Sequence, residues 1–294
     1  SESESESEDD DDSPVEVTTR NENDVLARSC KSGSVSFKVD GGDEMRCENI
    51  EMEIQNRLNR GANVWVVGDV HGYFATFNTL IENLKLELDD CVILLGDMID
   101  RGPTSANVVN YVRSNRNFFC VRGNHEQMMI EGFDTDLFFK EKDIDSQIWY
   151  HNGGVNTEYS YIKLYGDGDD SALDAASIDV QWMKELPSEI VLDKWRLVHG
   201  GYNPNIDVED QSEVVHMNIR SKFYTSKKAL DPSRTILFGH SPTAIHLYKD
   251  DSKAGLAWES NILTDDNRLL SSTEITAWKL MEIYNEKRKY IRRP

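Results

Sequence analysis

The stretch that decides the fold is WVVGDVHG at residues 65–72. An apolar run of the kind that forms a buried strand ends at a glycine, and an aspartate and a histidine follow, one residue apart. Asp69 and His71 are both residue types that bind metal ions, and glycine lets the backbone turn sharply beside them. One such ending has little weight, because surface turns are rich in aspartate. It gains weight if the same order of residues recurs along the chain.

Four later apolar runs, CVILL, FFCV, WRLV and TILF, also end in polar residues with a glycine before or beside them. These runs begin at residues 91, 118, 195 and 235, and the polar residues that follow them are Asp97, Asn124 with His125, His199 and His240. The apolar spacing of helices is found at residues 47–60, before the first run, and at residues 74–85 and 104–114, between the first three runs. Strands that alternate with helices predict an α/β domain with a largely parallel sheet.

The polar endings predict a single metal-binding site. In an open α/β sheet, the residues just beyond the carboxyl ends of the strands converge on one crevice. The collected set contains two aspartates, one asparagine and at least three histidines. Mixed oxygen and nitrogen donors of this kind suit Mn²⁺, Fe or Zn²⁺ better than Ca²⁺ or Mg²⁺. The sequence therefore predicts a dinuclear metal site.

Several other types of site are not supported by the sequence, either because one required residue differs or because the motif is absent. HEQMM at 125–129 has Met129 where a zinc-protease helix needs its second histidine. The acidic GDGDDS at 166–171 is predicted to be a surface loop, and it is not an EF-hand, because Ala172 and Ile178 stand where glycine and glutamate are required. The chain has no GxxxxGK[ST], no GxGxxG and no GxSxG motif, so the common nucleotide-binding loops and the hydrolase elbow are unsupported.

Composition and charge restrict the partners. No apolar run approaches the ~18 residues of a membrane span, and the N-terminus lacks the basic start and apolar centre of a signal peptide. We therefore expect a cytoplasmic protein, monomeric and without a membrane partner. The net charge is −21, of which residues 1–12 supply eight negative charges, so the remainder still carries −13. An acidic body of this kind is not expected to bind nucleic acid through its phosphates.

The four cysteines, Cys30, Cys47, Cys91 and Cys120, form no CxxC pair. The last two lie in apolar strand-like runs. We predict buried free thiols, in keeping with a reducing cytoplasm, and a disulfide between Cys30 and Cys47 is the alternative.

The chain divides into three parts by composition. Residues 1–46 are predicted to be an acidic and largely disordered extension, with a short edge strand at 34–39 (SVSFKV). Residues 47–286 form the predicted catalytic domain, in which the acidic stretch from about 133 to 180 shows no clear pattern. Residues 287–294 (KRKYIRRP) form a basic C-terminal tail.

The motifs GDVHG, GDMIDRG, RGNHE, HGG and FGH, in this order, resemble the metallophosphoesterase superfamily. GDxxDRG followed by GNHE is similar to the PPP-type serine/threonine protein phosphatases. RGNHEQMM at 122–129 and NGG at 152–154 look most like the bacteriophage-lambda-type and related bacterial phosphatases. The similarity spans about residues 62–285. It implies a four-layer α/β sandwich in which two mixed β-sheets pack face to face and are flanked by helices.

The resemblance also implies a role for each polar ending. Asp69 and His71 would hold the first metal ion, Asp97 would bridge both ions, and the second ion would be completed by Asn124, His199 and His240. A water that bridges the two ions would attack phosphorus in line with the leaving oxygen. The cofactors would be two divalent ions per chain, with manganese expected and iron or zinc as alternatives.

Other residues would handle the proton and the phosphate. The resemblance implies that His125 protonates the leaving oxygen and that Asp100 orients it. Arg101 and Arg122 would bind phosphate oxygens through their planar forks. Relatives carry a further arginine in a WNR-like stretch, and since this chain reads HMNIRSKF at 216–223, Arg220 is only a rough candidate. The glycine of the relatives' DTG-like turn is also missing from LTDDNRLL at 263–270.

The predicted function is metal-dependent hydrolysis of phosphoserine and phosphothreonine monoesters, with phosphotyrosine as an additional substrate, so the expected partners are phosphorylated proteins or peptides. One alternative is a dinucleoside polyphosphate hydrolase or a cap hydrolase, which shares the fold and the metals. Such relatives tend to lack the aspartate of DRG and to read GNHD, so Asp100 and Glu126 favour the protein phosphatase. An alternative of another class is a catalytically silent phosphate-binding module. The complete set of predicted metal ligands argues against this alternative.

Overall fold

The computed structural model describes residues 46–135, 138, 147–166 and 170–241, together with the backbone of five strands between residues 248 and 279. The predicted edge strand at 34–39, the C-terminal tail at 287–294 and nearly all of the acidic extension lie outside the described residues.

The helices between the strands follow the predicted spacing. The α-helices are α1 (Glu48–Asn59), α2 (Phe74–Leu84), α3 (Ser105–Ser114), α4 (Asn124–Gly132), α5 (Val155–Tyr165), α6 (Ser171–Met183), α7 (Glu213–Asn218) and α8 (Ser221–Tyr224), with a π-helical turn at Tyr150–Gly154 before α5. The first three match the predicted helices to within one residue at each end. Helices α5 and α6 occupy the stretch for which the sequence shows no clear pattern.

The strands form two mixed sheets and one hairpin. They are β1 (Val64–Val67), β2 (Cys91–Leu94), β3 (Phe118–Cys120), β4 (Glu189–Val191), β5 (Trp195–Val198), β6 (Thr235–Phe238), β7 (Tyr248–Asp250), β8 (Lys253–Gly255), β9 (Glu259–Leu263), β10 (Leu269–Thr273) and β11 (Ala277–Lys279). The first sheet has the order β11-β1-β2-β3, and only β11 is antiparallel. The second has the order β4-β5-β6-β8-β7, with antiparallel strands at both edges.

The two sheets pack face to face through alternate residues of their strands. In β1, Val64 and Val66 belong to a buried cluster that also contains Leu197 of β5 and Leu237 of β6. Val67, by contrast, packs with the helices on the outer face of the first sheet. Successive side chains of a strand point to opposite faces, so both faces of these short strands are buried and the runs are apolar throughout.

Helices cover both outer faces of the sheets. Helices α2 to α6 contribute to the cluster on the first sheet. On the second sheet, Phe223 of α8 packs with Val198 and Phe238. Each apolar strand run is therefore buried between two layers, and the predicted four-layer α/β sandwich is confirmed.

The cysteines differ in one respect from the expected free thiols. Cys91 and Cys120 are free and buried, as predicted. Cys47, at the start of α1, is disulfide-bonded, so the free-thiol prediction is wrong there. Cys47 lies outside the apolar strand runs but is buried as well, so burial alone does not distinguish a free thiol from a disulfide.

No helix within the described ranges is both long enough and apolar enough to cross a membrane.

Candidate metal centre

The carboxyl ends of strands from both sheets meet at one place. His199, which follows β5, directs Nδ1 to the carbonyl oxygen of Leu95, which follows β2, at 2.6 Å. The backbone N–H of His240, which follows β6, donates to Oδ1 of Asp69 at 3.0 Å. These two contacts join the sheets directly beside the predicted ligands, so the crevice expected from parallel strands is formed by both sheets together.

All six predicted ligands lie in one cluster. Nε2 of His71 is 3.9 Å from Oδ2 of Asp69 and 3.8 Å from Oδ2 of Asp97. Nε2 of His199 lies 3.2 Å from Oδ2 of Asp97, 3.0 Å from Oδ1 of Asn124 and 3.1 Å from Nδ1 of His240. The ring nitrogens and carboxylate oxygens therefore converge on a small volume, with Asp97 in its middle.

The cluster divides into two groups that could each hold one cation. Among the described residues, His71, Asp97 and His125 form one group and Asp97, His199 and His240 form the other, with the ligand atoms of each group within 4.8 Å of one another. Asp97 is common to both groups. A carboxylate common to both groups suits two adjacent divalent ions, and the mixed donors fit a dinuclear centre. The first group differs from the prediction in that it contains His125 and not Asp69.

Backbone carbonyls orient two of the histidines for metal binding. Nδ1 of His71 lies 3.0 Å from the carbonyl oxygen of Ile99, and Nδ1 of His199 has the comparable contact with Leu95. A histidine that donates Nδ1–H to a carbonyl presents the lone pair of Nε2, which is how metal-binding histidines are commonly held. His240 differs, because its Nδ1, and not its Nε2, faces the cluster.

The pKa values of several residues in the cluster also favour the binding of a cation. Burial lowers the pKa of His71 to about 3 and that of His240 to about 3, so both rings stay neutral and keep their lone pairs. Burial alone would raise the pKa of Asp97, but the rings of His199 and His125 hold it well below its ordinary value. The Asp97 carboxylate in turn raises the pKa of His199 to about 9 against the opposing effect of burial. Positive charge is thus favoured beside Asp97.

Several site residues have strained backbones. His71, Asp97 and His240 have φ values of 48°, 52° and 64°, in the left-handed region that side chains with a Cβ rarely adopt. Gly96, with φ 90°, lies so close to the next loop that a Cβ there would be 2.6 Å from the backbone nitrogen of Gly123. Strain of this kind persists where the surrounding structure imposes it, and it clusters at functional sites.

His125 and Asp100 form a buried pair at the edge of the cluster. Nδ1 of His125 is 2.7 Å from Oδ2 of Asp100, and both residues are almost completely buried. Nε2 of His125 points back to the cluster, at 4.0 Å from Oδ2 of Asp97. Burial opposes a charge on this ring, but the carboxylates of Asp97 and Asp100 outweigh it and raise the pKa of His125.

The three predicted phosphate-binding arginines have different surroundings. Arg101 is exposed and directs Nη1 to Nε2 of His71 at 2.9 Å and Nη2 to Nε2 of His125 at 3.3 Å. Arg122 is buried and pairs with Glu213 of α7, with Nη2 and Oε1 2.8 Å apart. Arg220 donates from Nη1 to the carbonyl oxygen of His240 at 2.6 Å. Arg101 and Arg220 therefore contact ligand residues, whereas the described contact of Arg122 is with a carboxylate.

The structure adds three residues that the sequence analysis did not identify as parts of the site. Glu126 was used only to distinguish subfamilies, yet its carboxylate accepts the backbone N–H of Asp97. Trp149 and Thr157 both donate to the carboxylate of Asp100. The only signal near the last two is the NGG motif at 152–154, which the residues flank.

Comparisons with known proteins agree with this geometry. The sequence profile of the calcineurin-like phosphoesterase family matches residues 62–274. "Serine/threonine-protein phosphatase 1" of Salmonella typhimurium is 34% identical over 111 residues, which are 37% of this chain and 46% of that protein. A symmetrical bis(5'-nucleosyl)-tetraphosphatase of Wigglesworthia glossinidia brevipalpis is 25% identical over 170 residues, 54% of this chain and 53% of that protein. The chain thus spans about half the length of these relatives.

A solved metallophosphoesterase from Sphaerobacter thermophilus is 11% identical, with a TM-score of 0.43 and coverage of 78% of this chain and 93% of that one.

Proposed function

The chain belongs to the calcineurin-like phosphoesterase family, and from that premise we propose that it hydrolyses phosphoserine and phosphothreonine monoesters on proteins. The single observation that carries this proposal is the buried His125–Asp100 pair, whose nitrogen and oxygen are 2.7 Å apart beside the ligand cluster. When phosphoserine is hydrolysed, the serine oxygen leaves as an alkoxide, which needs a proton. A general acid at this position meets that need.

The ligand cluster supports a dinuclear centre in this role. Asp69, His71 and Asp97 would hold one ion, and the second would be held by Asp97, Asn124, His199 and His240. When bound, two divalent ions supply a nucleophilic water of lowered pKa and a polarising charge on the phosphate oxygens. We propose manganese as the native metal, with iron or zinc as the alternatives, since mixed carboxylate and imidazole donors suit these ions better than calcium or magnesium.

His125 would transfer its proton from Nε2 to the leaving oxygen. Its Nδ1 is engaged by Asp100, which keeps the ring plane fixed and stabilises the protonated form. The carboxylates of Asp97 and Asp100 raise the pKa of His125 against the effect of burial, which favours the protonated ring that a general acid requires. Asp100 itself does not touch the substrate in this scheme.

Arg101 is the arginine best supported as a phosphate ligand. Its two terminal nitrogens lie at the ring nitrogens of His71 and His125, so the planar fork spans the entrance to the cluster. Two parallel N–H groups match two oxygens of a phosphate. Arg122 and Arg220 remain candidates, one engaged with Glu213 and the other with the carbonyl of His240.

Hydrolysis of dinucleoside polyphosphates is the second candidate, favoured by the similarity to the Wigglesworthia tetraphosphatase. The two candidates differ in their leaving groups. A phosphoanhydride releases a phosphate oxygen that is already a weak base and gains little from a proton donor, so the engaged His125–Asp100 pair supports the phosphomonoester reaction.

The test compares leaving groups in the parent protein and in His125→Asn, with Mn²⁺ added. The parent should release phosphate from phosphoserine and phosphothreonine peptides faster than it cleaves diadenosine tetraphosphate. In His125→Asn, turnover of the peptides should fall ~10²–10⁴-fold, and turnover of an aryl phosphate should fall much less. Metal content by elemental analysis should be unchanged. Equal losses on both monoesters, or a parent that prefers the dinucleotide, would overturn the proposal.

A further inference from the structure

We propose that Trp149 and Thr157 are positioning residues that hold the carboxylate of Asp100 against His125. The inference rests on the proposed function. Oδ2 of Asp100 faces Nδ1 of His125, whereas Oδ1 accepts hydrogen bonds from Oγ1 of Thr157 at 2.6 Å and from Nε1 of Trp149 at 3.0 Å. The two oxygens of one carboxylate are thus divided between the histidine and a pair of fixed donors.

The hydroxyl of Thr157 holds both ends of Asp100. Its oxygen accepts the backbone N–H of Asp100 at 2.9 Å, and its hydrogen is donated to the carboxylate of the same residue. This two-point contact fixes the side chain relative to its own backbone. The terminal torsion of an aspartate has a broad energy profile, so these contacts, rather than the rotamer, set the direction of Oδ2.

Burial makes these donors necessary. Asp100 has no exposed surface, and Trp149 and Thr157 are buried to a similar degree. Water cannot replace a lost donor at such a position, and a buried acceptor left without a partner is costly. If one donor is removed, the carboxylate is expected to rotate towards the remaining donors and to weaken its contact with Nδ1 of His125.

The same segment also supports the unusual backbone at this site. Asp100 and Arg101 are consecutive residues with left-handed φ values of 70° and 69°. The carbonyl oxygen of Gly153 accepts the backbone N–H of Arg101 at 3.4 Å, and Nδ2 of Asn156 donates to the carbonyl oxygen of Arg101. The segment from Trp149 to Thr157 therefore braces Arg101 as well as Asp100.

The kinked turn at Tyr150–Gly154 explains how one segment can contact both Asp100 and Arg101. Trp149 precedes the turn and Thr157 follows it, and the kink lies at Gly153, which has φ 108°. A Cβ at Gly153 would lie 2.7 Å from the backbone nitrogen of Arg101. Only glycine accommodates both that conformation and that approach. The NGG motif is thus explained by the support it provides.

The variants that test the proposal remove one donor each, and Thr157→Val also keeps the shape of the side chain. Trp149→Phe removes Nε1–H, and Thr157→Val removes the hydroxyl. With Mn²⁺ present, kcat on a phosphoserine peptide should fall about 10-fold or more, as expected for a partial loss of general acid catalysis. The kcat on an aryl phosphate should fall much less, KM should change little, and Thr157→Ser should restore the rate.

Ser160→Ala is the matched control. Ser160 lies one turn later on α5, is equally buried, and bonds the carbonyl oxygen of Thr157 and the backbone N–H of Ala106 instead of Asp100. Its loss should lower stability as Thr157→Val does, but it should not change the ratio of the two kcat values. A similar change of that ratio in Ser160→Ala would overturn the proposal.

A double-mutant cycle separates positioning from general damage. In a His125→Asn background, Thr157→Val should cause no further loss on the phosphoserine peptide, because its effect is transmitted through His125. Additive losses would overturn the proposal. If His125→Asn alone shows no dependence on the leaving group, the proposed function fails. If His125→Asn does depend on the leaving group but Trp149→Phe and Thr157→Val do not, only the positioning role of Trp149 and Thr157 fails.

A readout independent of activity completes the test. The Nδ1 proton of His125 should give a slowly exchanging, strongly downfield NMR signal in the parent because it is buried against a carboxylate. That signal should be shifted or lost in Thr157→Val and kept in Ser160→Ala. An unchanged signal in Thr157→Val would overturn the proposal, and this holds even if Trp149→Phe does not fold.

Discussion

The carboxylate of Glu126 accepts the backbone N–H of Asp97 at 2.8 Å, and both residues are buried. The same carboxylate accepts the N–H groups of Met98 at 2.7 Å and Gly123 at 2.9 Å. It therefore fastens the loop after β2 to the loop after β3. Because Asp97 is the ligand common to both cation groups, Glu126 acts on the centre without belonging to it.

Glu126→Gln should weaken this connection. Oε2 accepts from both Asp97 and Gly123, and an amide cannot accept at both of its terminal atoms. We expect metal affinity to fall by about 10- to 100-fold and the free energy of unfolding to fall by about 1–3 kcal/mol. Metal titration and denaturant unfolding measure the two effects. Glu131→Gln, an exposed site on the same helix, is the control, and a parent-like affinity in Glu126→Gln would contradict the prediction.

Asp97→Asn should lose both metal content and turnover. The carboxylate is the negative charge shared by the two ligand groups, and an amide oxygen cannot balance two cations. Elemental analysis and phosphate release from a phosphopeptide are the measurements. Asp207→Asn, on an exposed loop, should keep the values of the parent. Full occupancy with near-normal rates in Asp97→Asn would show that this aspartate does not bridge the ions.

His216 should make stability depend on pH. Its ring is fully buried, with Nδ1 2.8 Å from Oγ of Ser188, and burial together with the charge of Arg196 lowers its pKa to about 4. The unfolded chain binds the proton near pH 6.5 and the folded chain does not. The stability from the neutral buried ring is thus complete above pH 6.5 and is lost as the pH falls towards 4.

The test for His216 compares the parent with His216→Gln. The difference in unfolding free energy between them should shrink by about 2 kcal/mol between pH 7 and pH 5. Urea unfolding at several pH values measures it. His151→Gln, an exposed substitution of the same kind, is the control. Parallel profiles of the parent and His216→Gln would contradict the prediction.

The acidic stretch around the start of α6 should influence the choice of peptide. Asp170 and Asp174 lie there, and Asp167 and Asp169 fall outside the described residues. Negative charge near a substrate path attracts basic peptides and repels acidic ones, and salt screens the effect. Phosphopeptides flanked by Arg or Lys should therefore have the higher kcat/KM at low salt.

That preference should shrink with added salt, and also when the four aspartates become asparagine. Replacing four exposed aspartates elsewhere, Asp89, Asp193, Asp207 and Asp210, by asparagine is the control for net charge alone. Equal kcat/KM for basic and acidic peptides at low salt would contradict the role of this stretch.

The alternation of strands with helices and the convergence of ligands were predictable from sequence for a local physical reason. Each apolar run ends in a glycine and a polar residue, and parallel strands must bring such ends to the same edge of a sheet. Asp69 and Asp97, which follow adjacent strands, therefore had to lie close together. Helix α2 was equally predictable, because its apolar spacing is a property of consecutive residues.

Two features of the chain escaped that local reasoning. Both faces of β1 are buried, so its apolar run gives no alternation that would tell which residues face the other sheet. Helices α5 and α6 carry many polar residues among their buried ones, and their apolar spacing is correspondingly weak. The disulfide at Cys47 was left as an alternative, because the pairing of cysteines is not a local property.

Residue types and their order along the chain thus determined which side chains reach the centre. The sequence contains the motif that supplies Asp100, but the donors that orient it, Trp149 and Thr157, stand 49 and 57 residues further on. Glu126 likewise reaches Asp97 across 29 residues. Hydrogen bonds depend on distances and angles between atoms that only the packing of layers brings together. Tertiary structure therefore decided how the reactive groups are held, and with what charge.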